Sequence, residues 1–138
     1  MFYKLKTHKQ DTEYLKEHFF ILNKGLNSGK PLEKPCPNCY VCFCNSEEEK
    51  NQLYWLMFGL WQGKTFHPQL VGSVIPFIRI GEVKNSLSDA ISKMQIQPEK
   101  FSKNLSAVRQ INEHAQNIAK QLETLAQLKR ALIHELLK

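Results

Sequence analysis

Four cysteines lie within nine residues, in the run Cys36-Pro37-Asn38-Cys39-Tyr40-Val41-Cys42-Phe43-Cys44. Thiolates two residues apart can share one zinc or iron ion, because a turn brings both sulfurs to one side. Cys36, Cys39, Cys42 and Cys44 are therefore candidate metal ligands, with zinc the expected ion and His67 a ligand that could join from afar. Cys36-Pro37-Asn38-Cys39 looks like half of a zinc knuckle. Tyr40 stands where a knuckle continues with glycine, and no second, distant cysteine pair completes the set. Iron–sulfur spacing is not met, since the fourth cysteine follows the third by two residues. The plainer reading is reduced cysteines packing as small apolar side chains beside Tyr40, Val41 and Phe43. A thiol enzyme is a third reading, which an acidic, reactive thiol would reveal.

A second group mixes aromatic and basic side chains: Trp61, Lys64, Phe66, His67 and Arg79. Rings can stack on bases while cations meet phosphates, so these five are the candidate nucleic-acid or partner patch. The competing reading makes the rings simple core. Gly59-Leu60-Trp61-Gln62-Gly63-Lys64-Thr65 is not a phosphate loop. It has three residues between its glycines where that loop needs four, and it ends an apolar helix instead of opening one. No catalytic constellation stands out. The histidines at 8, 18, 67, 114 and 134 are scattered, the acidic residues cluster at helix starts, and no nucleophile-elbow pattern occurs. The expectation is a protein that is not an enzyme.

The elements that must position these residues follow from periodicity. Tyr3 and Leu5 alternate with Lys4 and Lys6, which predicts a short strand over 2–8. Asp11 reads as the cap of a first helix carrying Tyr14, Leu15, His18, Phe19 and Leu22 and ending at Gly25. Residues 26–46, dense in Pro, Asn, Ser and Gly, read as a loop bearing the cysteines. Ser46, followed by Glu47, Glu48 and Glu49, predicts a capping box opening a central buried helix that runs to about Gln62. Leu70–Ile80 reads as extended, split or confined to an edge by Pro76. A third helix is expected from Asn85 or Ser86 to Met94.

Pro98 suits the first turn of a fourth helix, and no Gly or Pro occurs from Glu99 to Lys138. Val108, Ile111, Ala115, Ile118, Leu122 and Leu125 step by three and four, the spacing of a heptad seam. The seam reads as shifting there to Leu128, Leu132 and Leu136, because the next regular step lands on Lys129. Forty residues of helix reach about 60 Å, more than the width of a 138-residue globule. Such a helix must break, or project and pack on a second chain.

Composition frames all this as ordinary globular usage, with 42% apolar and 23% charged residues. The net charge of +6 divides as +3 over residues 1–30, zero over 31–97 and +3 over 98–138. This mild excess allows attraction to phosphates without requiring it. The longest apolar run, Leu53–Trp61, is far short of the roughly 20 residues a membrane span needs. Residues 1–8 lack the apolar stretch of a signal peptide, so a cytoplasmic location is expected.

Two stretches resemble a known group: Leu26-Asn27-Ser28-Gly29-Lys30-Pro31-Leu32-Glu33-Lys34-Pro35-Cys36-Pro37-Asn38-Cys39, and Phe58–Thr65 together with Gly72–Ile80. They resemble a family of small uncharacterised bacterial proteins linked to mobile genetic elements. The resemblance implies no activity and transfers no site, but the setting implies a partner in DNA processing or its regulation.

The expected fold is α+β and predominantly helical, with about four helices, the last one long, and a minor two- or three-stranded sheet from residues 2–8 and 70–80. It is one domain over 1–138: a globular part over 1–97 with the cysteine-bearing loop 26–46, then the long helix over 98–138. The expected function is a non-enzymatic interaction or accessory module. Its partner is another protein or a second copy (a homodimer), met through residues 105–136, with no membrane. The alternative is a nucleic-acid-binding accessory protein with structural zinc in the cysteine loop.

Overall fold

A computed structural model describes all residues, 1–138. Four strands come first: β1 (Tyr3–Thr7), β2 (His18–Leu22), β3 (Pro31–Leu32) and β4 (Cys39–Cys44). Three helices follow: α1 (Glu47–Gln62), α2 (Ile80–Ile96) and α3 (Pro98–Leu136), with a 3-10 turn at His67–Gln69. The sheet is antiparallel throughout, in the order β1-β4-β2-β3. The fold is α+β, with three helices where four were expected and a four-stranded sheet where two or three strands were expected.

Strand β4 lies at the centre. Leu5 and Phe19 both register with Cys42, and Phe20 registers with Val41. Alternation sends Tyr40, Cys42 and Cys44 to one face and Cys39, Val41 and Phe43 to the other. The first face meets Leu53, Leu56 and Met57 of α1 and Val83, Leu87, Ala90 and Ile91 of α2. The second face forms a smaller cluster with Phe20, against which Tyr14, Leu32 and Cys36 pack. Tyr40 reaches across the larger core and donates its hydroxyl to the Ile78 carbonyl at 2.6 Å.

The first expected helix is instead a turn followed by β2. Phe19, Phe20 and Ile21 are all buried, and three consecutive buried residues need cover on both sides. An interior strand gives that cover, whereas a surface helix buries one stripe. Asp11 does not cap a helix; it sits at φ 61° in the turn where Thr12 donates to the Lys9 carbonyl. Leu15, assigned to the helix stripe, is fully exposed. The expected loop over 26–46 shrinks in the same way, because β3 and β4 occupy part of it. A strand buried on both faces shows no polar alternation to betray it.

The strand expected over 70–80 is a tight loop. Val71 and Phe77 exchange both backbone hydrogen bonds, at 3.0 and 2.8 Å. Ile78 donates to Asn23, and Gly25 to Pro76. Pro76 has no N–H to extend a ladder. α2 starts at Ile80, ahead of the expected Asn85 or Ser86. β1 meets expectation, with Leu5 buried and Lys4 and Lys6 exposed. So does the start of α1: the Ser46 hydroxyl accepts from the Glu49 N–H at 3.2 Å, and Glu49 accepts from the Asn45 N–H at 3.3 Å. α1 buries one stripe, not its whole circumference.

The chain divides into two compact units, Met1–Phe101 and Ser102–Lys138. The first holds every buried residue, and Phe101, in the first turn of α3, packs partly buried on its core. The second is the remainder of α3, an unbroken helix with no buried residue.

Gly29 fixes one contact in the first unit. It holds φ at +97°, and a Cβ there would stand 2.2 Å from Cδ2 of the fully buried Phe66. Gly29→Ala is expected to destabilise the chain by roughly 2–4 kcal/mol through overpacking and backbone strain. Urea unfolding measures the shift, and an unchanged midpoint would contradict this packing.

Candidate functional site

The four cysteines do not surround one point. Cys42 and Cys44 point into the larger core and are fully buried. Cys39 faces the opposite cluster, with Cys36 half-buried beside it. The Cys39 thiol donates to the Cys36 carbonyl at 3.1 Å, closing the Pro37-Asn38 bend. No group of three or more His, Cys, Asp or Glu side chains converges into a metal-holding set. A zinc ion at Cys36 and Cys39 would have to draw its other ligands from outside the cysteine run. What the geometry supports directly is packing: thiols fill space in a strand pressed from both sides.

The electrostatics of the buried thiols differ in direction. Burial raises the Cys39 thiol from 9.0 to about 11. The hydrogen bond of Cys42 toward Cys44, together with burial, holds the Cys42 thiol well above its ordinary range. Neither has the lowered pKa of a nucleophile. Cys44 is lowered, because the hydrogen bond from Cys42 favours its thiolate while burial opposes it, but its sulfur lies fully buried in the core.

The aromatic and basic patch separates into core and surface. Phe66 is buried against Gly29, so it offers no stacking face. It was expected in the patch because it lies between Lys64 and His67, but the backbone turns it inward. Trp61 is half-buried, with the Lys30 ammonium 5.1 Å above its ring. Lys64, His67 and Arg79 are exposed. Lys64 sits at φ 57° just past α1, where it donates to Trp61 while Thr65 donates to Leu60. This double closure is the usual glycine-rich ending of a helix, with lysine in the glycine's place.

The structure forms two further clusters. Along α1, ring contacts link Tyr54 to Trp55 at 5.6 Å, Trp55 to Phe58 at 5.1 Å and Phe58 to Trp61 at 5.6 Å. The three-residue spacing of the last three rings was the available signal. On the outer face of the sheet, His8 and His18 each meet Phe20 edge-on at 5.2 Å, with Tyr14 beside both. His8 Nδ1 and the Tyr14 hydroxyl are 3.0 Å apart. His18 Nδ1 donates to the Lys16 carbonyl at 2.6 Å. Sequence spacing could not find this group, because strand pairing and a turn assemble it.

The largest unsatisfied feature is on α3. Ile111, Ile118, Leu122, Leu125, Leu128 and Leu132 are between 52% and 68% exposed. Further along, Leu136 is 82% exposed and Ile133 48%. These side chains form an exposed apolar stripe along the helix. No helix in the structure is long and apolar enough to cross a membrane.

A family described as "Family of unknown function (DUF6943)" matches residues 5–135. No curated protein and no solved structure gives a significant match.

The two-sided burial of β4 predicts thiol behaviour. In native protein at pH 8, iodoacetamide should modify Cys36 alone, and the other three only after unfolding in urea. Intact-mass measurement counts the modified thiols, and rapid native labelling of two or more would exclude this packing. Cys39 stays protonated up to about 11 in the folded chain, while an unfolded thiol ionises near 9.0. Unfolding therefore releases a proton between these values, and stability should fall as pH rises from about 9 to 11. Cys39→Ala should flatten that slope.

Proposed function

The chain belongs to the family of unknown function DUF6943, and we propose that it acts as a non-enzymatic interaction module whose docking element is α3. The observation that carries this reading is the apolar stripe on a helix with no buried residue. Fully burying a Leu or Ile side chain is worth about 1.5–3 kcal/mol, so a stripe left half or more exposed holds a large unused stabilisation. A surface helix normally spends its apolar stripe on its own core. Helix propensity adds support: the 39-residue element contains no glycine, and its one proline sits at the first position. It persists as a rod that presents the stripe.

The occupant of such a stripe is an apolar partner of matching period, since a and d side chains insert into the gaps of a facing helix. The bacterial, mobile-element setting that the middle segments resemble favours a partner in DNA processing or its regulation. The net charge of +6 suits work near nucleic acid without assigning base contacts.

An immobilised helical peptide with leucine at every a and d position is a suitable probe. The intact chain should be retained on it, and amides over 108–136 should exchange more slowly when it is bound. A chain ending after residue 104 keeps every buried residue and Phe101, so it should fold yet pass through unretained. Equal retention of both chains, or of neither, would refute α3 as the docking element.

A further inference from the structure

The heptad frame does not stop at Leu125. With Val108 at a and Ile111 at d, the a positions after Leu122 are Lys129 and Leu136, and the d position after Leu125 is Leu132. Leu132 and Leu136 return to the original frame, so no shift of the seam is needed. One cation, Lys129, interrupts an otherwise apolar line. A single lysine at an a position is a known device for fixing register and orientation at some cost in stability. This inference rests on the reading of α3 as a docking element.

A second copy offers the same period and the same interruption, and the two possible orientations differ sharply. In a parallel pair, a positions face each other, so Lys129 would lie against the partner's Lys129 in the seam. The flanking pairs would be His114 with the partner's Ala119, and Gln121 with the partner's Ala126. None brings opposite charges together.

In an antiparallel pair, a faces d. Setting Leu122 on the partner's Leu125 places Ala115 on the partner's Leu132 and Ile111 on the partner's Leu136. Lys129 then lies over the partner's Ile118, where its alkyl stem covers apolar surface and its ammonium reaches water. On one flank Ala119 meets the partner's Ala126, which lets the backbones come close. On the other flank His114 meets the partner's Glu135, a complementary contact made twice by the two-fold axis. In its own chain Glu135 has only an exposed pair with Lys138 at 3.3 Å, which competes weakly.

The stripe supplies a substantial part of an interface. Transfer energies and the per-area coefficient together give roughly 60–120 Å² of apolar surface per Leu or Ile side chain. With these side chains about 60% exposed, the stripe offers on the order of 400 Å² of apolar surface per helix, about half the ~800 Å² that each partner gives to a standard interface, and the flanking side chains add to it. We infer that α3 pairs with α3 of a second copy in antiparallel order, Leu122 on the partner's Leu125, with Lys129 and the contact of His114 with the partner's Glu135 selecting that order.

Two experiments on the full-length chain decide it. Sedimentation across micromolar concentrations should show a monomer–dimer equilibrium. In the second, chains carrying Ala119→Cys are mixed with chains carrying Ala126→Cys and treated with a short bis-maleimide. Both positions are on the helix surface, so the fold is not at stake. The 119–126 cross-linked peptide should appear by mass spectrometry, and Lys129→Cys alone should not cross-link to itself. Self-linking at 129 would mean parallel order and overturn the proposal. Lys129→Leu should tighten the dimer by about tenfold and blur its orientation, so that both cross-links form. A monomer at every concentration also overturns self-pairing. If that monomer still binds the leucine-heptad peptide, the docking reading survives; if it does not, both fall.

Discussion

Strand β4 is covered on both faces, by α1 and α2 on one side and by the segments around Tyr14 and Cys36 on the other. A strand in that position can carry no charge and little bulk. Cys-Tyr-Val-Cys-Phe-Cys meets the condition, with Tyr40, Cys42 and Cys44 toward the helices and Cys39, Val41 and Phe43 on the other face. β1 and β2 pair with β4 on either side, and Phe19, Phe20 and Ile21 repeat the two-sided burial on β2. The Tyr40 hydroxyl bond to Ile78 and the seating of Phe66 on Gly29 tie the loops of the first unit to the same core. The cysteine cluster, the most reactive-looking feature of the sequence, is thus explained first by its place in a doubly covered strand.

α3 presents the opposite condition. It carries as regular an apolar pattern as any element of the chain, and none of it is buried. Exposed pairs such as Arg109 with Glu113 add only a few tenths of a kcal/mol to such a helix. The protein combines a self-sufficient core in one unit with an apolar seam in the other. In the proposed pairing, one cation on that line, Lys129, discriminates among orientations that leucines alone would leave equivalent.

Of the candidate sites, the seam was legible from the start, because three-and-four spacing is a local property of a helix. The aromatic ladder of α1 was legible in the same way, through Trp55, Phe58 and Trp61. The outer-face group of His8, Tyr14, His18 and Phe20 was not. Its members come from β1's exit, a turn and β2, and only strand register brings them together. Phe66 was misplaced for a related reason: its neighbours Lys64 and His67 are exposed, and nothing local announces that the backbone turns the ring onto Gly29.

The sequence by itself determined β1, the capped start of α1 and the helical period of residues 98–138, each governed by alternation, capping or helical period within a few residues. The tertiary structure decided that Phe19-Phe20-Ile21 and the cysteine run are strands, that 71–77 closes as a loop, and that the four sulfurs divide between two faces. The reason is physical. A stretch buried on every side has no polar side to set its period, so its conformation is chosen by what covers it, and that cover comes from residues far away in the chain.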